Sequence, residues 1–201
     1  EVTDQMVGDN RVVKVVYNLE DLGCSNVVTY TIEPSGILTV EAQMSEASFK
    51  EAPRYGVRWR MPQEFANVRF YGRGPWENYC DRKDGAQFAI YSCTVDDMYV
   101  PYVRPQENGH RVDTRWLEIK NAKGRGLVIH AVGTPFEFNA LHNSVEDFDA
   151  EESTAPYQWN NFVENDPHDV GRARNVMKNQ THVSDISPRN FTEICIDSSM
   201  S

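Results

Sequence analysis

Residues 71–82, YGRGPWENYCDR, bring together Gly72, Gly74, Pro75, the Trp76 indole, the Glu77 and Asp81 carboxyl groups, the Arg73 and Arg82 guanidinium groups and the Asn78 amide. A second polar loop, PQENGHRVD at 105–113, adds Glu107, Asn108, His110 and Arg111. Sugars suit such groups. A pyranose shows an apolar C–H face that packs on an aromatic ring, and its equatorial hydroxyls need the forked partners that Asp, Glu, Asn, Gln and Arg supply. The substrate-binding candidates are therefore Trp76, Glu77, Asn78, Tyr79 and Arg82 in the first loop and Glu107, Asn108, His110 and Arg111 in the second. The same residue types also serve the backbone, because Tyr and Trp fill half-buried strands and Arg–carboxylate pairs tie long loops to a sheet. Residue chemistry alone leaves both roles open.

Catalysis needs more than this inventory. Glycoside hydrolysis uses two carboxylates roughly 5 Å or 6.5–9.5 Å apart across the scissile bond, and thirty acidic residues nominate no particular pair. Glu77 and Glu107 both follow a Pro-x pattern and precede Asn, so two loops of similar build are expected, with the glutamates capping backbone or pairing with arginine. His130 lies in an apolar run and reads as a hydrogen-bonded core residue, while His142 ends a strand. His110 would be the acid–base group only if the chain were an epimerase acting on sugars. No nucleophile elbow, phosphate loop, zinc-protease helix or calcium loop is present. No catalytic residue and no metal ligand is assigned.

Many short β runs must carry these loops. Alternating or β-branched stretches recur at 11–19, 27–33, 37–44, 55–61, 67–72, 87–93, 114–121, 126–133, 135–142, 181–187 and 191–197, separated by Gly, Pro, Asn and Asp. Pro34-Ser35-Gly36 predicts a hairpin between two of these runs, and Ala122 to Arg125 predicts another. Residues 144–153 suit one or two helical turns, and 94–113 is the long irregular stretch, a length often found in functional loops. The pattern predicts an all-β antiparallel sandwich in a single domain over 1–201.

Composition narrows the partners. Thirty Asp and Glu against twenty Lys and Arg give a net charge of -10, and no basic run could follow a phosphate backbone, so nucleic acid is not an expected partner. The longest apolar runs fall far short of the roughly 20 residues that span a bilayer, so no membrane segment is expected. The chain is expected to be soluble, cytoplasmic or periplasmic. Cys24, Cys80, Cys93 and Cys195 lie far apart without a C-x-x-C pair and read as free thiols.

The segments FYGRGPWENYCDRKDG (70–85) and DDMYVPYVRPQENGHRVDTRWLEI (96–119) together resemble the C-terminal, or small-chain, domain of family 2 β-galactosidases of the lactose-operon type. The matching positions include Gly72, Gly74, Pro75, Glu77, Asn78, Tyr79, Asp81 and Arg82, then Asp97 to Tyr99, Glu107 to Gly109, Arg111, Thr114 and Arg115. The resemblance implies a supersandwich similar to galactose mutarotases. It implies that the catalytic glutamates and the magnesium and sodium ligands of the whole enzyme belong to a central barrel outside this sequence, so no cofactor is expected in this chain. Its partners would be that catalytic barrel domain and a galactoside substrate. The family's F-W-R-A-P-T-D-N-D-like segment and its Gly-Gly-Asp-Asp-Ser-Trp loop are not in the sequence, so a fragment truncated at both ends is expected. Uncovered sheet edges recruit partners, which makes a homo-oligomer the expected state. An autonomous carbohydrate-binding module and an aldose 1-epimerase-like enzyme are the alternatives.

Overall fold

The computed structural model describes residues 1–45, 54–103, 105–148 and 183–200. Contacts divide the chain into two compact units, Glu1–Pro53 and Arg54–Ser201.

In the first unit, β1 (Val2–Val7), β2 (Asn10–Leu19), β3 (Cys24–Ile32) and β4 (Leu38–Met44) form an antiparallel meander in that order. The hairpin at Pro34-Ser35-Gly36 joins β3 to β4, with Gly36 at φ 88°. Period-two alternation places Val15, Val28 and Ala42 opposite one another on one face. β1 was not anticipated, because VTDQMV mixes apolar and polar residues on an exposed edge.

The second unit is an all-β antiparallel sandwich of two four-stranded sheets. One sheet has the order β5 (Arg54–Pro62), β12 (Phe191–Met200), β11 (Phe136–Leu141), β8 (Arg111–Thr114). The other has the order β10 (Gly126–His130), β9 (Trp116–Lys120), β6 (Asn67–Gly74), β7 (Gln87–Thr94). Inward-facing Val68, Phe70, Leu117 and Ile119 of the second sheet meet Phe136, Phe138, Ala140 and Ile194 of the first. Phe70 and Phe138 cross edge to face with centroids 5.2 Å apart, which adds directional aromatic contact to the burial that drives the sheets together.

Four expectations change. The run 114–121 is not one strand. Its first residue, Thr114, ends β8 in one sheet, and Trp116 opens β9 in the other, so Arg115 sits at a corner where the chain changes sheets. The strand expected at 181–187 is a 3-10 turn over Val183–Asp185, with 181–182 outside the described residues. The helical turns expected at 144–153 are a 3-10 turn over Val145–Phe148, and 149–153 lie outside the described residues. The irregular stretch is shortened from both ends, by the helix α1 (Val95–Met98) and by β8. Thr94 and Asp97 form a reciprocal capping box on α1, which satisfies amide groups at its start.

Candidate functional site

Both polar loops leave the same end of the sandwich. The first follows β6, in which Gly72 and Gly74 are buried within the strand. A Cβ on Gly72 would stand 2.8 Å from the Thr114 Oγ1, and one on Gly74 would stand 2.9 Å from the Tyr91 ring. The glycines therefore allow β6 to press against β8 and β7. The Gly74–Pro75 peptide is cis, and Trp76 beyond it is 81% exposed.

Asn78 fixes the loop's path. Only 1% exposed, it donates from Nδ2 to the carbonyls of Arg73 (3.1 Å) and Trp76 (2.9 Å) and accepts the Val112 N–H at 3.1 Å on Oδ1. Its own N–H reaches the His110 carbonyl at 2.9 Å. One amide side chain thus replaces the ladder partners that a loop lacks. Asn108 does the same in the second loop, accepting from Val100 N–H at 2.9 Å and donating to the Gln106 carbonyl at 3.0 Å.

Glu77 clasps the two loops together. Its Oε2 accepts the Gly109 N–H at 2.8 Å, and its Oε1 accepts from Arg82 Nη2 at 2.7 Å and from the Tyr102 hydroxyl. Gly109 has φ 76°, and a Cβ there would meet the Met98 carbonyl oxygen at 2.7 Å, so both conformation and space require glycine. Arg82 also lies over the Tyr79 ring, 4.6 Å from its centroid. Tyr79 in turn stacks on the His110 imidazole with centroids 5.0 Å apart. Burial, reinforced by the negative charges of Glu77 and Glu107, raises the Tyr79 phenol above its ordinary range.

His110 is 0% exposed. Its Nε2 hydrogen-bonds Glu137 Oε2 of β11 at 2.9 Å, and its Nδ1 is buried with no hydrogen-bond partner among the described residues. An imidazole with no solvent-facing atom has no path to a sugar hydroxyl in this arrangement. Arg111 is buried as well, donating from Nη1 to the Gly109 carbonyl at 2.8 Å, and burial lowers its guanidinium below the usual arginine range.

The second loop is bolted to the sheet by Glu107. Its Oε1 lies 2.6 Å from Arg54 Nη1 and accepts from Asn139 Nδ2 at 2.8 Å. Arg54 holds Asp197 in a two-pronged pair at 2.9 and 2.7 Å, geometry that a planar guanidinium favours. Burial pushes the Glu107 carboxyl up, against the pull of Arg54 and His110.

The structure thus brings Glu77, Tyr79, Arg82, Glu107, Asn108 and His110 into one hydrogen-bonded assembly and points Trp76 outward. The candidate site residues read from the sequence did not include Tyr102, Arg54, Glu137, Asn139 or Asp197, which complete it. Arg54 and Asp197 are 143 residues apart, and no local spacing announces such a pair. Their signal is only the charged residue at alternate positions of β5 and β12. His130, expected in the core, is exposed on β10 opposite Trp116, because Leu127 and Ile129 take the inward positions. His142 is buried, with Nδ1 2.9 Å from the Phe191 carbonyl oxygen. Among the described residues, no trio of His, Cys, Asp or Glu is gathered to hold a metal ion.

Residues 1–198 match the sequence family described as beta galactosidase small chain. The chain is 37% identical over 151 residues to a β-galactosidase of Priestia megaterium, covering 75% of this chain and 14% of that protein. It is 34% identical over 151 residues to a β-galactosidase of Streptococcus thermophilus, covering 73% and 15%. It is 33% identical over 167 residues to a β-galactosidase of Lactobacillus delbrueckii subsp. bulgaricus, covering 79% and 16%. The aligned part is between 14% and 16% of the length of these relatives.

Proposed function

The chain belongs to the β-galactosidase small-chain family, and from that premise we propose that it is a non-catalytic sandwich portion of a β-galactosidase, shaping the rim of an active site built elsewhere in the enzyme. The whole enzyme hydrolyses terminal β-D-galactosides; its catalytic barrel is this chain's partner.

The observation that carries this reading is the engagement of Glu77. Both carboxylate oxygens are committed to Gly109, Arg82 and Tyr102 within the same pair of loops. A general acid or nucleophile needs a carboxylate oxygen facing the substrate, whereas Glu77 faces its own backbone. Glu107 is similarly committed to Arg54 and Asn139. Energy invested in such a clasp holds loop shape, as a rim requires.

Two measurements test the proposal. The chain alone should not hydrolyse a chromogenic β-galactoside, but should restore hydrolysis when mixed with a β-galactosidase polypeptide deleted for its own matching segment. Hydrolysis by the chain alone, abolished by Glu77→Gln or Glu107→Gln, would overturn it.

The exposure of Trp76 favours a second reading, direct contact of this ring with a galactoside at the rim. Quenching of tryptophan fluorescence by a galactoside, lost in Trp76→Ala, would support it; unchanged quenching in that variant would remove it.

A further inference from the structure

The sheet β10-β9-β6-β7 has a second face, opposite the core, that the rim reading does not use. The registers place Tyr71 beside Trp116 on β9 and beside Ile90 on β7, with Phe88 next along β7 and Val128 on β10. These side chains are turned away from Phe70, Leu117 and Ile119 by the period-two alternation of the strands. Ile90 is 55% exposed and Val128 48% exposed, so an apolar strip spans the width of the sheet.

Arginines are laid on this strip. Arg69 lies over Trp116, 5.3 Å from its centroid, Arg73 over Phe88 at 5.6 Å, and Arg115 over Phe88 at 4.4 Å and over Tyr71 at 5.8 Å. Their charges are unevenly answered. Arg73 pairs with Asp113 at 2.6 Å, a carboxylate that Lys83 also approaches at 3.5 Å. Arg69 is 4.0 Å from Glu118, which Lys120 contacts at 3.0 Å. Arg115 makes no ion pair among the described residues, and its side chain donates only to the Asp113 carbonyl, at 3.2 Å. Cations therefore outnumber acids on this face of a chain whose net charge is -10.

We propose that the outer face of the β10-β9-β6-β7 sheet is a docking surface for an acidic polypeptide segment whose carboxylates alternate with apolar side chains. The Arg69 and Arg115 guanidinium groups, held over the rings, offer donors to carboxylates, while Ile90 and Val128 accept the intervening apolar groups. Trp, Tyr and Arg are the residue types that carry most of the binding energy in protein interfaces. Three competing occupants fit less well. A stacked sugar or a nucleic-acid base needs a bare ring face, and here the outward faces are covered by guanidinium. A second copy presenting the same face would set its surplus of cations against the identical surplus.

The test uses the full chain and a fluorescein-labelled peptide that alternates Glu with Leu and Phe, read by fluorescence anisotropy. Arg115→Glu and Ile90→Ser replace exposed side chains, so both variants should keep the wild-type circular dichroism. Each should weaken binding by about tenfold or more, whereas Lys14→Ala on β2 should leave it unchanged. Binding should fall with added salt and should vanish for a peptide with Lys in place of Glu. Absence of binding, or binding as tight as wild type by both variants, would overturn the proposal. So would tighter binding of a uridine oligonucleotide or of a neutral galactan than of the acidic peptide, or a dimer in sedimentation that Arg115→Glu abolishes.

Discussion

Gly109 donates its backbone N–H to the Glu77 carboxylate at 2.8 Å, across 32 residues of sequence. This bond joins the loop after β6 to the loop before β8, and the same carboxylate gathers Arg82 and Tyr102. Replacing Glu77 by Ala leaves the Gly109 donor without its partner in a largely buried position. The expected loss is about 2–3 kcal/mol of unfolding free energy. Glu77→Gln keeps an acceptor oxygen but not the charge opposite Arg82, and should cost less, about 1 kcal/mol. Urea denaturation of both variants checks the order; equal losses would show that charge, and not the acceptor, holds the loops.

Asn78 makes the sharper prediction for loop shape. Asn78→Ala removes two donors and one acceptor at once and leaves the Val112 N–H and the Arg73 and Trp76 carbonyls to find other partners. A loss of about 2–4 kcal/mol is expected. Asn78→Asp should be no better than Ala, because a carboxylate can accept from Val112 but cannot donate to two carbonyls. Trp76→Ala, at an 81% exposed side chain, should change stability by less than about 0.5 kcal/mol. Thermal melts of the three variants separate these cases.

Much of the fold can be read from local signals. The hairpin between β3 and β4 is announced by Pro34-Ser35-Gly36, and the hairpin between β9 and β10 by the Lys-Gly link at 122–125, because turn chemistry is local. The break at Arg115 leaves only a weak trace, a change of phase from Val112 and Thr114 to Leu117 and Ile119 that the adjacent Trp116 and Leu117 blur, while the chain passes from one sheet to the other. The parity of GLVIH is likewise hidden by its apolar neighbours, so His130 reads as inward although Leu127 and Ile129 occupy that side. At the site, residue types identify the two loops, yet the partners of Glu107 lie on β5 and β11. Such partners follow from strand order, which no spacing within a loop contains.

Glu107 gives a pH signature. Burial raises its carboxyl above the ordinary value of 4.5, and Arg54 and His110 only partly oppose this. For an acid whose pKa is higher in the folded state, the folded chain binds more protons than the unfolded chain across that interval. Stability is then fully present below the unfolded value and declines as pH rises through the folded one. The wild-type melting temperature should therefore carry a falling contribution as pH climbs from 4.5. Glu107→Gln, which resembles the protonated form, should remove that contribution while keeping the acceptor for Asn139. Identical pH slopes for the two proteins would show that Glu107 does not titrate differently on folding.

The cysteines test the burial pattern independently of the loops. All four are free; Cys80 is exposed, Cys24 and Cys93 are half-buried, and Cys195 is buried on β12. Burial pushes the Cys195 thiol up to about 12, although the nearby Arg54 cation acts in the opposite direction. Both its access and its thiolate fraction are therefore low at neutral pH, and the thiolate is the reactive form. Titration of the native chain with a chromogenic disulfide should show Cys80 reacting first, Cys93 and Cys24 more slowly, and Cys195 only on addition of denaturant. Prompt reaction of Cys195 in the native chain, located by peptide mapping, would mean that this position of β12 is not buried.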